Sequence, residues 1–355
     1  MPFKKQLIHC DLRLFPHQES EVDYEISMGD LHGNALLLLN FLIRYGVIKI
    51  NQRDYEIFVQ IYCLPSEKLT KEHINCFNRI IDSSSVNLLK KIRFLGDMFA
   101  DRGSNDYFTL KILAHLHKHH LDYEIILSNH DVEFLLFFEL YGFDKPYKEI
   151  TISSVVTESL QMLIKIVRNG WVNKEWLQLA ITKAILPKLK ALSYTYEKVN
   201  EEDLLIIYSH APIDLHVISK IANELNVPFD DSHALSIKNS IISINQQLQL
   251  KYTDGNLAKL FSGLFNPRVN VSGMAARGLE RLIWNRTYED LKRECRHKDL
   301  MIYYVHGHDS SGLSQDNVFV LDGLLGKSLG NMQGIMNILL SRGEEKKRCN
   351  FSHLS

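Results

Sequence analysis

Residues 24–33 read YEISMGDLHG, a short strand-forming run that stops at Gly29 and delivers Asp30 and His32 ahead of Gly33. The two polar residues alternate along the end of a strand, so a tight glycine turn lets both point at one cation. Taken alone, the same letters make an ordinary turn with a capping Asp before a helix at Asn34. The pattern, however, returns four times. IRFLGDMFADRG (92–103), YEIILSNHD (123–131), DLLIIYSHAP (203–212) and MIYYVHGHDSS (301–311) are each a β-branched or aromatic run that ends in Gly, Asp, His or Asn. Polar chemistry gathers at strand ends.

Helical patterns separate these runs: NALLLLNFLIRYGVI (34–48), DYFTLKILAHLHKHHL (106–121), VEFLLFFELYGF (132–143) and LHVISKIANELN (215–226). Strand alternating with helix predicts an α/β architecture. Residues 145–200 interrupt the alternation with apolar residues at helical spacing, such as Leu160, Leu163, Ile164 and Val167, then Trp176, Leu177 and Ile181. They are read as an inserted helical cap between core segments 1–144 and 201–340, with a polar tail at 341–355. The insertion enters after the helix that follows Asn129 and leaves before the strand ending at His210, which predicts a place over or beside the cleft. Residues 51–90 form a second insertion, whose NRIIDSSSVN stretch (78–87) reads as surface connection. Residues 225–285 are poorly periodic and read as loops near the site.

The 355 residues, 45% apolar and 23% charged, suffice for one large domain or a domain with an insertion. Forty-one basic side chains balance forty-two acidic ones, so no nucleic-acid footprint or polybasic membrane surface is expected. Cys10, Cys63, Cys76, Cys295 and Cys349 are scattered without a C-x-x-C pair, the pattern of reduced thiols. With no leader-like start and no run of membrane-spanning length, a soluble protein of a reducing compartment is expected.

The clusters themselves carry chemistry. Asp97 is a strand-end carboxylate able to bridge two cations, with Asp101 and Arg102 close behind it. Asn129 offers a neutral amide oxygen, and His130 beside it a proton donor. His210 and His308 add imidazoles, which suit transition metals. Asp30, His32, Asp97, Asn129, His210 and His308 together make six candidate ligands.

In the order GDxHG, GDxxDRG, GNHE, a His before a small residue and a later GH, these motifs resemble the phosphoprotein phosphatase family of calcineurin-like metallophosphoesterases. The resemblance runs from about Tyr24 to Leu325. It implies a β-sandwich flanked by helices and a pair of divalent cations, Mn foremost, with Fe, Zn or Mg as alternatives. It also implies that Asp30, His32 and Asp97 hold one cation and Asp97, Asn129, His210 and His308 the other. His130 would be the general acid, oriented by Asp101, and a hydroxide shared by the metals would attack phosphorus in line. Two departures stand out: three residues separate Asp97 from Asp101 where the family has two, and Ser128 and Asp131 replace Gly and Glu.

Trp284-Asn285-Arg286 resembles the W-x-R element of bacterial members, which implies that Arg286 joins Arg102 in gripping phosphate; Arg277 is the substitute. His306 reads as a residue packed behind the ligands. A cysteine-nucleophile phosphatase is excluded, because the sixth residue after each cysteine is Pro16, Leu69, Asp82, Met301 or Ser355 rather than Arg. The large insertion and diverged motif edges resemble the Wip-type effector phosphatases that intracellular bacteria deliver into host cells. That implies phosphoprotein substrates, host proteins as partners through the cap, and the host cytosol as an alternative to the bacterial cytoplasm. A hydrolase of dinucleoside polyphosphates or other small esters, and a non-catalytic phosphoprotein scaffold, remain as rivals.

Overall fold

The computed structural model describes residues 3–19, 24–88, 91–142, 158–261, 277–286, 291–309, 316–328 and 330–342. Along the chain run β1 (Phe3–Asp11), β2 (Glu25–Met28), α1 (Ala35–Arg44), β3 (Ile48–Lys49), α2 (Gln52–Tyr62), α3 (Lys71–Asp82), β4 (Ser85–Val86), β5 (Lys91–Phe94) and α4 (Asp106–Lys118). Next come β6 (Asp122–Ile126), α5 (Asn129–Tyr141), α6 (Glu158–Arg168), α7 (Lys174–Ala180), β7 (Leu189–Lys190), β8 (Ser193–Val199), β9 (Glu202–Ser209) and α8 (Leu215–Glu224). The described elements end with α9 (Ala234–Thr253), α10 (Leu257–Leu260), α11 (Gly278–Trp284), β10 (Arg296–His297), β11 (Leu300–His306), β12 (Val318–Val320) and β13 (Gln333–Ser341).

Two sheets carry the site. One has the order β1-β13-β2-β5-β6-β7, the other β10-β11-β9-β8 with β12 beside β11. Within the first, β2, β5, β6 and β7 are parallel neighbours; within the second, β9, β11 and β12 are. Parallel strands end on the same edge, so the five motif-bearing runs release their polar residues together.

The sheets pack face to face through Leu95, Ile126, Ile206, Tyr208, Val305 and Leu339, each at most 1% exposed. Burial of each such side chain stabilises by about 1.5–3 kcal/mol. Tyr208 Oη donates to Ser341 Oγ at 3.1 Å, and its ring lies 3.8 Å beneath the buried guanidinium of Arg93. Arg93 also pairs with Glu124 and, at 3.1 Å, with Glu25. Arg93→Ala strands those two largely buried carboxylates, and urea unfolding should show a loss on the order of 3–5 kcal/mol. A change under 1 kcal/mol would mean that the cluster is well solvated.

Helix α1 is apolar on every side, and all ten of its residues are buried, as expected of a helix enclosed by the core. The predicted helices after each motif are present as α1, α4, α5 and α8. Three readings need correction. Residues 78–87 are not mere surface connection: they close α3 and form β4, with Ile80 and Ile81 buried, and Phe77 of the same helix joins Phe58 and Phe108 in a triangle of rings 4.7–5.6 Å apart. Residues 225–285 contain the twenty-residue α9, whose buried Ala234, Ile237, Ile241, Ile244, Leu248 and Tyr252 give about one apolar residue per turn. In the 145–200 segment the helical character ends at Lys188. The Ser-Tyr-Thr-Tyr alternation that follows is strand β8, paired antiparallel with β9. Residues 145–157 and 343–355 lie outside the described ones. No helix among the described residues is long and apolar enough to cross a membrane.

Candidate metal centre

Asp30 follows β2, Asp97 follows β5 and Asn129 opens α5 after β6, three parallel neighbours of one sheet. His210 and His308 follow β9 and β11 of the other. The centre therefore lies where the carboxyl edges of both sheets meet, and all six predicted ligands are at most 7% exposed. Ligand atoms of Asp30, Asp97 and His210 lie within 4.8 Å of one another, as do those of His32, Asp97 and Asp101. Asp30 Oδ1 and Asp97 Oδ1 are buried and lack a hydrogen-bond partner. Orphaned carboxylate oxygens facing imidazoles are the donors a divalent cation takes, so this chain's residues fit metal ions.

The turns are shaped for this. His32, Asp97 and His308 sit at φ values of +56°, +52° and +63°, a left-handed region that side chains adopt at a cost. Gly96, at φ +107°, and Gly307 keep the floor open. A Cβ on Gly307 would lie 1.8 Å from Asp30 Oδ1 and one on Gly96 2.8 Å from His210 Nδ1.

Both departures from the family motif have structural reasons. Ser128 Oγ accepts from the Asp131 amide at 3.0 Å, capping α5, and from the Asp97 amide at 2.9 Å. The shortened Asp131 takes the Met98 and Phe99 amides at 2.9 and 3.2 Å, while Asp106 takes that of Ala100 at 3.1 Å. These two carboxylates support the widened loop, and burial raises both to about 7.

His210 Nδ1 lies 2.8 Å from the Leu95 carbonyl, which only accepts. Nδ1 therefore carries a proton, and Nε2 faces Asn129 Oδ1 at 3.0 Å and Asp97 Oδ1 at 3.5 Å. A backbone acceptor behind a ring is the usual support of a metal-binding histidine. Burial works against a charge on His210, yet the Asp97 and Asp30 carboxylates outweigh it and raise the ring to about 9. The potential is strongly negative. His308 is different: burial, His210 and Arg286 hold it far below the ordinary range, so it is a neutral donor.

His130 Nδ1 donates to the Ala100 carbonyl at 2.8 Å, and Nε2 stands 3.5 Å from Asp101 Oδ1. The longer loop thus still brings Asp101 to His130. Burial opposes the charge on His130, but Asp97, Glu133 and Asp101 raise it to about 10, leaving it protonated at neutral pH. Asp101 is held down at about 2, because His32, His130 and Arg102 outweigh its burial.

Arg286 Nε approaches His308 Nε2 at 3.2 Å, at the edge of the centre. Arg102 is half exposed, 3.7 Å from Asp101. Arg277 is turned to Glu224 and the Leu260 carbonyl, and His306 to Arg293 and its neighbour's carbonyl. One residue was missed. Asp322, 4% exposed after β12, forms a third cluster with Asp30 and His32. Its signal was the same as elsewhere, an apolar run (VFVL, 318–321) ending in Asp-Gly.

Parallel strand ends that converge buried Asp, His and Asn on one point define an α/β metallophosphoesterase-like phosphatase fold. The chain belongs to the family of WipA-like phosphatase domains, whose model matches residues 91–327. It is similar to the phosphatase domain of the Legionella effector WipB, with 30% identity over 81% of this chain and 99% of that one, and a TM-score of 0.69. No curated protein matches it.

Proposed function

We propose that this phosphatase is metal-dependent and acts on proteins, hydrolysing phosphomonoesters of Ser, Thr or Tyr. The observation that carries the reading is the Asp30, Asp97 and His210 cluster, with orphaned oxygens buried at the junction of the two sheets. Two divalent cations bound there, Mn foremost, would polarise the phosphoryl oxygens and lower the pKa of a coordinated water. Asp30, His32, Asp97, Asn129, His210 and His308 would hold them. His130 would protonate the leaving oxygen, with Asp101 keeping its ring in place. Arg286 and Arg102 would orient the phosphate from the rim.

The helices of residues 158–188 support a role in choosing protein substrates. Ser159 Oγ donates to the Asp101 carbonyl at 3.1 Å, and Trp176 packs on Tyr107 of α4. Similarity to an effector extends the proposal to host phosphoproteins. The test is hydrolysis of p-nitrophenyl phosphate and of phosphoserine, phosphothreonine and phosphotyrosine peptides, with and without Mn²⁺. Mn-stimulated turnover of peptides is expected. Turnover of dinucleoside polyphosphates alone would move the protein to small esters, and no turnover with any metal would leave a phosphoprotein-binding scaffold.

A further inference from the structure

Asp322 lies two residues beyond the end of β12, buried at the carboxyl edge that carries the other motifs. Its Oδ1 is buried, has no hydrogen-bond partner and stands 3.3 Å from His32 Nε2. Ligand atoms of Asp30, His32 and Asp322 all lie within 4.8 Å of one another. We infer that Asp322 is a further oxygen ligand of the cation that Asp30 and His32 hold, which rests on the metal-dependent reading above.

The distances suit a shared ion. Two donors about 2.1 Å from one cation, at octahedral to tetrahedral angles, stand roughly 3.0–3.4 Å apart. The 3.3 Å between His32 Nε2 and Asp322 Oδ1 falls in that interval. The other side of the ring agrees. His32 Nδ1 lies 3.1 Å from Asp101 Oδ2, a carboxylate that accepts its proton, so a cation would take the place of the proton on Nε2, which faces the Gly323 carbonyl at 2.9 Å and Asp322 at 3.3 Å.

Charge points the same way. Asp30 and Asp322 both present buried, orphaned oxygens beside His32, donors of the kind a divalent cation takes. The consequence is an unequal pair of sites. The one with Asp30, His32 and Asp322 is rich in oxygen and suits Mn or Mg; the one with His210, His308 and Asn129 is richer in imidazole.

The experiment is Mn²⁺ titration by calorimetry, with metal counted by mass spectrometry, on the parent chain, Asp322→Asn and Asp97→Asn. Asp322→Asn is expected to bind one of two equivalents at least about tenfold more weakly, and to gain less in Tm on adding Mn²⁺. Parent-like stoichiometry and affinity in Asp322→Asn, alongside metal loss in Asp97→Asn, would overturn the assignment of Asp322 alone. Parent-like binding in Asp97→Asn as well would overturn the metal-dependent reading. Asp322→Ser, which can still accept from His32 but offers only a neutral donor, gives the same measurement if the Asn variant does not fold.

Discussion

Asp97→Asn is expected to yield a folded chain with no measurable phosphatase activity and reduced metal content. Asp97 shares one cluster of ligand atoms with His210 and another with His32, so in the proposed centre it would be the carboxylate common to both cations. The amide keeps the shape and removes the charge. No apolar contact is lost, and the support from Ser128 reaches the main chain of Asp97 rather than its side chain. The loss should exceed the roughly 10²–10³-fold that follows removal of one charge-stabilising donor. Circular dichroism and metal analysis check the two halves of the expectation. A folded variant with normal metal content and turnover would sink the assignment of the centre.

His130→Asn should keep its metal and slow hydrolysis of an alkyl phosphate by roughly 10²–10⁴-fold, the usual worth of a general acid. The ring is anchored by the Ala100 carbonyl behind it, Asp101 beside it and Glu133 one turn on. Asp97, with Glu133 and Asp101, outweighs the burial and keeps it protonated through neutral pH. p-Nitrophenyl phosphate, whose leaving group needs little protonation, should lose much less. Equal losses on both substrates would mean that His130 positions phosphate and transfers no proton.

What could be read from the letters was whatever local geometry concentrates. Asp30, His32, Asp97, Asn129, His210 and His308 each close an apolar run at a Gly, Ser or small-residue turn, and such turns are short enough to recognise without their partners. Asp322 obeys the same rule in VFVLDG and was passed over because β12 is only three residues long. Helix α9 escaped for a different reason. Its apolar period is intact but thin, since one buried residue per turn suffices for a helix packed on one side only. Strand β8 follows a helical stretch with no glycine between, and Pro187 is the only local mark of the change of period. The helices α2 and α3 do carry local signals, caps at Asn51 and Thr70 and apolar spacing at Tyr55, Phe58 and Ile61 and at Ile74, Phe77 and Ile81, but their depth in the core shows only where Phe58 and Phe77 meet Phe108 of α4.

The ligands are divided between the sheets: Asp30, Asp97 and Asn129 on one, His210 and His308 on the other. A cation held by both groups acts as a bolt through the seam. Hydrophobic burial between the faces tolerates small sliding motions, whereas coordination bonds at a fixed length do not. Loading the proposed centre would therefore lock the two sheets in register at the same edge where the substrate must be aligned. Unfolding of the loaded protein would have to begin either with loss of the ion or in elements away from this edge. A chelator would then change more than reactivity, because it would release a mechanical restraint between the sheets.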